Sequence, residues 1–344
     1  MKVIAFIAVV GALALGLSLF QISRRQENAI SLKVREAFSK HCIKHSIKFT
    51  SPKEYNFRLG VFAKADAYIS EENSKSLSYT LGHNKFSVLT DEEFEARYTN
   101  PNLEKLVEES RRQENPYSSP LPSVSQAASI DWRLQNAVTP IKDMGTCVAD
   151  WAFAATTPVE SMWKISGRDL EVLSEQQLMD CSGDEGNDGC VGGWTDFAFK
   201  YIIKAGGQAR SSDYPYKQER EKCHFKPQTA VAKIKGFTDM EKKDCKAVLV
   251  GLNTGPLSGA MNTNQIKYYS GGVFSSASCS LVINHIISII GYGHDNTVNK
   301  DYWIVRPAYG VGWGEFGYIR LDRNVQTATG ICGLCSACTL VTPA

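Results

Sequence analysis

The chain has 344 residues, of which 43% are hydrophobic and 22% are charged, and its formal net charge is +2 at pH 7. A chain of this length and apolar content can bury one large core and a smaller second one, which excludes a mainly disordered protein. The near-neutral charge gives no basis for nucleic-acid binding. Ten cysteines favour a disulfide-bonded protein of an oxidising compartment over a cytosolic protein.

The N-terminus carries one lysine, an apolar run and then two arginines, as MKVIAFIAVVGALALGLSLFQISRR. Residues 1–26 are therefore predicted to be either a secretory signal, with Ala12-Leu13-Ala14 as its cleavage site, or an uncleaved membrane anchor at residues 3–22. The apolar run is close to the ~18–20 residues that span a bilayer, so both alternatives stay open. Either one directs the protein to a secretory, lysosome-like or other oxidising compartment, and an anchor would tether it to the membrane.

The next part of the chain is charged and has helical spacing. Between residues 27 and 75, apolar residues recur at steps of two to five, which predicts amphipathic helices. Residues 106–127 are polar and rich in serine and proline, which predicts an exposed linker. Within this linker, Arg111-Arg112 is either a processing site or a solvated pair of charges.

From Ala128 onward the chain contains more cysteine, glycine and aromatic residues. Residues 151–166 are predicted to form a buried helix. Short apolar runs bounded by glycine and asparagine predict strands, namely VAKIKGF, INHIISIIGYG, DYWIVRP and GYIRL. A first half rich in helices and a second half rich in strands predict an α+β domain with two lobes.

Five motifs in order resemble the papain-like cysteine peptidases, and they run from about Ile130 to Pro343: IDWRLQNAVTPIKDMGTCVADWAF, LSEQQLMDCSG, GCVGGWTDFAFKYI, NHIISIIGYG and YWIVRPAYGVGWGEFGYIRL. The resemblance implies the two-lobed papain-like fold, with a helical left lobe and a β-barrel-like right lobe. It also implies the chemistry of amide attack by a thiolate, which a neighbouring imidazole generates.

The resemblance to the cathepsin L-like precursors extends upstream, to the inhibitory propeptide of the family. The spaced helix pattern of that propeptide is matched at five of six positions, with Ala65 in place of the first asparagine: Glu54, Arg58, Phe62, Ile69 and Asn73. A second motif follows as GHNKFSV and ends in Val88, where the family usually has aspartate.

These matches predict a domain order. A cathepsin-propeptide-like inhibitor domain covers residues 27–105, the linker covers residues 106–127, and a papain-like peptidase domain covers residues 128–344. The chain would then be a whole zymogen-like precursor, with a hydrophobic N-terminus followed by a propeptide and the peptidase domain.

The resemblance assigns five positions at the active site, and only one carries the residue that the chemistry needs. Asp150 stands at the nucleophile position, Met144 at the oxyanion glutamine, and His285 at the histidine. Pro307 stands at the asparagine that orients the imidazole, and Tyr309 stands at the tryptophan that shields this asparagine. Of four chemical roles, only the imidazole is retained.

A carboxylate at position 150 is a poor nucleophile toward an amide, because attack would form a mixed anhydride less stable than the amide. Asp150 fits better as a carboxylate at a helix N-terminus, where the macrodipole stabilises it, or as the partner of His285. An acid–base role against a non-peptide substrate is the weaker alternative, because no second carboxylate occupies a matching motif position.

The substrate cleft of the family is partly retained. Gly192 and Gly193 match the glycine pair that lines it, and Trp151 and Tyr309 complete the expected cleft residues. The partner is therefore predicted to be a peptide or protein, including its own propeptide or a larger membrane-associated assembly. No cofactor or metal is required.

The resemblance implies three disulfides, Cys147–Cys190, Cys181–Cys223 and Cys279–Cys332. It leaves the pairing of four cysteines open: Cys42, Cys245, Cys335 and Cys338. A local Cys335–Cys338 bond is one option, although so short a loop is strained. The C-x2-C-x2-C run over residues 332–338 is a weak zinc motif, because no fourth ligand has matching spacing.

Two functions follow. The first is a papain-like pseudoprotease, a non-catalytic binding or structural subunit. The alternative is an active papain-like endopeptidase that carries out proteolysis with atypical site residues.

Overall fold

The computed structural model describes residues 30–121, 124–325 and 327–344. The predicted signal or anchor at residues 1–26 lies outside these ranges. Within them, no helix is both long and apolar enough to cross a bilayer. The chain divides into two compact units, one comprising the residues up to Lys75 together with Lys85–Thr90, and the other comprising Ser76–Asn84 and Asp91–Ala344.

The first unit is built on two helices, α1 (Leu32–Lys44) and α2 (Pro52–Asn73). Its core consists of Phe38, Leu59, Phe62 and Val88, all buried. The helices predicted between residues 27 and 75 are confirmed. The motif positions from Glu54 to Asn73 all lie on α2, and Arg58 of that motif donates to the Val88 carbonyl at 2.9 Å.

Helix α2 begins with a reciprocal cap. The Ser51 hydroxyl accepts a hydrogen bond from the Glu54 amide at 3.2 Å. The Glu54 carboxylate in turn accepts from the Thr50 amide and hydroxyl at 2.7 and 2.6 Å. These bonds satisfy amide groups that a helix N-terminus otherwise leaves without partners.

We expect Ser51→Ala to lower the free energy of unfolding of the first unit by about 1 kcal/mol, because it removes the cap acceptor. Urea unfolding followed by the helical circular dichroism signal measures the loss. Ser70→Ala, at an exposed position on the same helix, is the matched control and should leave stability unchanged or slightly raised. Equal effects of the two substitutions would contradict the cap.

The second unit combines helices with two sheets. Its helices are α3 (Asp91–Tyr98), α4 (Leu103–Arg112), α5 (Asp150–Ile165), α6 (Glu175–Cys181), α7 (Thr195–Ala205) and α8 (Cys245–Leu252). Its strands are β1 (Tyr79–Leu81), β2 (Ile130–Asp131), β3 (Gln208–Ala209), β4 (Ala230–Ala232), β5 (Ile234–Asp239), β6 (Leu257–Met261), β7 (Tyr269–Phe274), β8 (His285–Asp295), β9 (Lys300–Arg306), β10 (Ile319–Asp322) and β11 (Cys338–Pro343).

Nine strands form one sheet, in the order β1-β7-β10-β9-β8-β6-β11-β5, with β2 paired to β8. β3 and β4 form a separate two-stranded sheet. The buried helix predicted at residues 151–166 and the strands predicted from the four apolar runs are confirmed as α5, β4, β5, β8, β9 and β10. The predicted α+β class is correct.

The central strand β8 and helix α5 set the geometry of the site. The first nine residues of β8, from His285 to Gly293, are buried, which explains its continuous apolar sequence. β8 pairs antiparallel with β6, where His285 faces Met261, and with β9, where Ser288 faces Arg306. Because α5 packs against β8, the first residue of α5 comes close to the first residue of β8.

One predicted loop is partly helical. Residues 106–112, which their composition placed in an exposed linker, belong to α4. Leu103 and Val107 are buried on one face of this amphipathic helix, and that burial offsets its polar composition. The Arg111-Arg112 pair is not a solvated pair of charges, because the Arg111 side chain is only 8% exposed whereas that of Arg112 is 77% exposed.

The three disulfides implied by the resemblance are present: Cys147–Cys190, Cys181–Cys223 and Cys279–Cys332. A fourth joins Cys245 to Cys335, so the suggested Cys335–Cys338 bond is wrong. The partner at the start of α8 is 90 residues away in sequence, which no local pattern could indicate. Because Cys332 and Cys335 are both oxidised, the run at residues 332–338 cannot supply three thiolates to zinc.

Candidate active site

Asp150 is the first residue of helix α5 and is 2% exposed. Its Oδ1 accepts from the Trp151 amide at 2.9 Å, and its Oδ2 accepts from the Ile286 amide at 2.7 Å. The preceding residue, Ala149, makes no side-chain cap. The carboxylate therefore bonds to a free amide at the helix N-terminus, where its charge is favoured, and to the start of strand β8.

His285 faces this carboxylate and is completely buried. Its Nδ1 lies 3.1 Å from Asp150 Oδ2 and 2.7 Å from the Tyr98 carbonyl oxygen. Both neighbours are acceptors, so Nδ1 carries the hydrogen. Nε2 is buried and makes no hydrogen bond within the part of the chain that the structure describes. The imidazole is therefore held through Nδ1 alone.

Burial governs the protonation of the pair. It raises the pKa of Asp150, against the attraction of His285 and the backbone amides. It also lowers the pKa of His285, against the attraction of Asp150 and the Tyr98 carbonyl. Both shifts disfavour charge, because a desolvated ion is costly. The imidazole is accordingly neutral near pH 7, with its hydrogen on Nδ1.

The positions expected to bind the oxyanion and to orient the imidazole offer no polar side chain. Pro307 follows directly after β9 and, with Asp150, lines a cavity that has room for about one water molecule. The Met144 side chain is fully buried, and its amide donates to the Ala308 carbonyl at 3.0 Å. Neither side chain can donate to an oxyanion or orient the imidazole.

Tyr309 packs over the histidine. The two ring centroids are 4.9 Å apart, and the Tyr309 hydroxyl donates to Thr263 Oγ1 at 3.2 Å. The Trp313 ring centroid lies 5.2 Å from that of Tyr309, in an edge-on arrangement. Tyr309 therefore covers His285 with an aromatic ring, whereas the resemblance assigned this position to shielding residue 307.

The glycine pair of the expected cleft is closely approached by other groups. A Cβ on Gly192 would lie 2.4 Å from Asn100 Nδ2, and φ of Gly192 is +142°. A Cβ on Gly193 would lie 2.8 Å from the Trp151 ring, whose indole donates to the Gly189 carbonyl at 3.1 Å. Only glycine fits at these two positions.

The chain's own residues 98–100 contact several of the residues expected to line the cleft. The Tyr98 carbonyl contacts His285, and the Asn100 amide donates to the Asn284 carbonyl at 2.7 Å. The Asn100 side chain reaches Gly192. Sequence reasoning did not identify Tyr98 or Asn100 as site residues, because nothing in the stretch RYTNPN resembles a motif.

The structure thus brings together Asp150, Met144, His285, Pro307 and Tyr309. In the comparison with known proteins, residues 126–341 match the family model described as papain family cysteine protease.

The chain belongs to the papain family of cysteine proteases.

Residues 38–94 also match the cathepsin propeptide inhibitor domain. The germination-specific cysteine protease 1 of Arabidopsis thaliana is 37% identical over 77% of this chain and 71% of that protein. The oryzain beta chain of Oryza sativa subsp. japonica is 38% identical over 82% of this chain, and the match spans 60% of that protein. The digestive procathepsin L 3 of Tenebrio molitor superposes with a TM-score of 0.79 at 34% identity, over 91% and 100% of the two chains.

Membership of the papain family confirms the two-lobed fold and the inhibitor segment predicted from the resemblance. The boundaries at residues 105, 106 and 128 stay predictions. Four disulfides accord with an oxidising compartment. Within the described ranges, no group of three or more histidine, cysteine or acidic side chains is arranged to hold a metal ion.

Proposed function

We propose that the protein is a papain-fold pseudoprotease, a non-catalytic binding or structural subunit whose cleft holds a segment of its own chain. One observation carries the proposal. The group that stands beside the buried His285 is a carboxylate whose Oδ2 already accepts a backbone hydrogen bond from Ile286. Attack on an amide by this group would lead uphill to an anhydride.

Two further positions, at which this chain differs from the family pattern, support the proposal independently. Met144 supplies no oxyanion donor, and one such donor is worth about 10²–10³ in rate. Pro307 supplies no acceptor or donor to the imidazole, in keeping with an Nε2 that makes no hydrogen bond among the described residues. A change at position 150 alone would leave the rest of the machinery in place, whereas this chain lacks three of the four roles.

The contacts of residues 98–100 favour a cleft that binds rather than cuts. The segment bonds to Asn284 and reaches Gly192 on the opposite wall. On α3, Phe94 and Tyr98 lie one turn apart, and both pack edge-on against Tyr309 at 6.2 and 6.0 Å. Aromatic anchors on a helix together with a backbone hydrogen bond are contacts by which a peptide segment can be bound.

The test compares the protein with His285→Ala. A cleavage site for an added endoprotease is inserted in the polar segment after α4, and the N-terminal fragment is removed. We expect no hydrolysis of a broad peptide library by either protein, together with saturable binding of a synthetic peptide covering residues 91–104. Hydrolysis that disappears in His285→Ala would overturn the proposal.

The alternative is an active endopeptidase with atypical site residues, and it is favoured by one finding. The germination-specific cysteine protease 1 of Arabidopsis thaliana is named as a protease, and this chain retains the family histidine. The same experiment decides between the two functions, because an endopeptidase would hydrolyse the library in proportion to its own concentration.

A further inference from the structure

Helix α4 docks on the rest of the second unit through a buried polar cluster away from the candidate active site. Ser110 Oγ donates to Asp196 Oδ2 at 2.9 Å, and Asp196 is 1% exposed. A guanidinium nitrogen of Arg111 lies 3.7 Å from Asp239 Oδ1 and donates to the Cys338 carbonyl at 3.4 Å. Two carboxyl groups, from α7 and β5, thus meet two residues of α4.

The Thr339 hydroxyl lies between the two carboxyl groups and has too few hydrogen atoms to donate to both. Thr339 Oγ1 lies 3.1 Å from Asp196 Oδ1 and 2.8 Å from Asp239 Oδ1. A hydroxyl group has a single hydrogen, so it can donate to only one of these oxygens. The second contact is a hydrogen bond only if one carboxyl is protonated and donates to the Thr339 oxygen.

Of the two carboxyl groups, we expect that of Asp196 to carry this proton. The charged groups that face it are Asp239 from β5 and Arg111 from α4. The Cys338 thiol on β11 stays neutral, since burial raises its pKa to about 12. Lys200, one turn along α7, donates to a glutamine oxygen beyond the end of α4 at 2.8 Å. Burial and the Asp239 charge, opposed by Arg111, raise the pKa of Asp196 to about 7.

We propose that Asp196, Thr339 and Asp239 form a proton-operated latch for helix α4, closed when Asp196 is protonated, so that acidification from neutral pH strengthens the docking of this helix. In the closed latch Asp196 donates to Thr339, Thr339 donates to the ionised Asp239, and Arg111 neutralises Asp239. When Asp196 loses its proton, a buried carboxylate at Asp196 and a partly exposed one at Asp239 share one arginine, and the Asp196–Thr339 hydrogen bond is lost.

The direction of the pH effect follows from linkage. Burial is the largest cause of the raised pKa of Asp196, whereas Arg111 and Ser110 of α4 oppose the rise. Undocking of α4 removes these effects together, and because burial is the largest of them, the pKa of Asp196 falls toward the ordinary value of about 3.9. The docked state therefore binds more protons than the undocked state between about pH 4 and pH 7. Docking is strongest below the ordinary value and weakens as the pH rises through about 7. Each unit of pKa difference corresponds to about tenfold in the docking equilibrium.

Hydrogen exchange of the full chain tests the latch. Protection of the amides of Leu103–Arg112 is measured at pH 5 and pH 8, with correction for the intrinsic exchange rate and with strand β8 as the internal reference. We expect protection of α4 to be at least about tenfold higher at pH 5 than at pH 8, with no comparable change in β8. Protection that is equal at the two pH values, or higher at pH 8, would overturn the proposal.

Two variants separate the latch from a general effect of pH. Asp196→Asn can donate to Thr339 at every pH, so α4 should stay protected in it at both pH 5 and pH 8. Ser110→Ala removes one contact without a titrating group, so it should lower protection at both pH values and keep their ratio. A full pH effect that persists in Asp196→Asn would assign the proton to another group and refute the latch.

Discussion

The triple variant Asp150→Cys, Met144→Gln, Pro307→Asn is expected to hydrolyse peptides at least about 10²-fold faster than Asp150→Cys alone. The single substitution supplies a thiol at the N-terminus of α5 beside His285, yet the oxyanion still lacks a side-chain donor and the imidazole still lacks a partner at Nε2. One oxyanion donor alone is worth about 10²–10³ in rate. Residues that act as one catalytic unit restore activity only together.

The measurement uses turnover of a broad fluorogenic peptide mixture, after release of the N-terminal fragment through an inserted cleavage site. Alkylation of residue 150 by a peptidyl electrophile, located by mass spectrometry, reports the thiolate separately. Addition of His285→Ala to the triple variant is the control and should abolish both signals. If Asp150→Cys alone were as active as the triple variant, Met144 and Pro307 would not be the cause of inactivity.

Removal of the buried cation Lys142 is expected to lower the free energy of unfolding by about 3–5 kcal/mol. Its Nζ contacts Glu160 Oε1 at 2.7 Å and Glu175 Oε1 at 2.5 Å, and both glutamates are at most 2% exposed. Lys142→Met leaves these two carboxylates facing each other without a counter-ion. Burial already raises the pKa of Glu175, with Lys142 as the main opposing charge.

Urea unfolding followed by tryptophan fluorescence at pH 7 measures this loss. Lys217→Met is the matched control, because Lys217 forms an ion pair with Glu221 on the surface and is 47% exposed. That pair should contribute at most about 1 kcal/mol. Adding Glu160→Gln and Glu175→Gln to Lys142→Met should recover most of the loss, and a Lys142→Met effect as small as the control would contradict the role of the buried cation.

Much of the fold was predictable from the sequence because its signals are local. A continuous apolar run predicts strand β8, and the spaced pattern from Glu54 to Asn73 predicts helix α2. Five motifs in order indicate the peptidase domain. The three disulfides were available from the family resemblance, and three of their cysteines, Cys147, Cys181 and Cys190, lie within its motifs.

The elements that sequence reasoning missed depend on distant partners. Helix α4 has the composition of a linker and is ordered by burial of Leu103 and Val107. Cys245 pairs with Cys335 across 90 residues, and no spacing rule relates them. The Asp196–Thr339–Asp239 cluster joins three residues that are at least 43 positions apart in sequence.

The sequence by itself determined which chemical groups stand at the site, because side-chain identity fixes what a position can donate, accept or attack with. The sequence alone shows that position 150 carries a carboxylate, position 144 a thioether and position 307 a proline. Only the tertiary structure decided how these groups are used. It placed the Asp150 carboxylate against the Ile286 amide, His285 Nδ1 between Asp150 and the Tyr98 carbonyl, and Asn100 beside Asn284. Those contacts arise where separate elements meet, and chain proximity does not encode them.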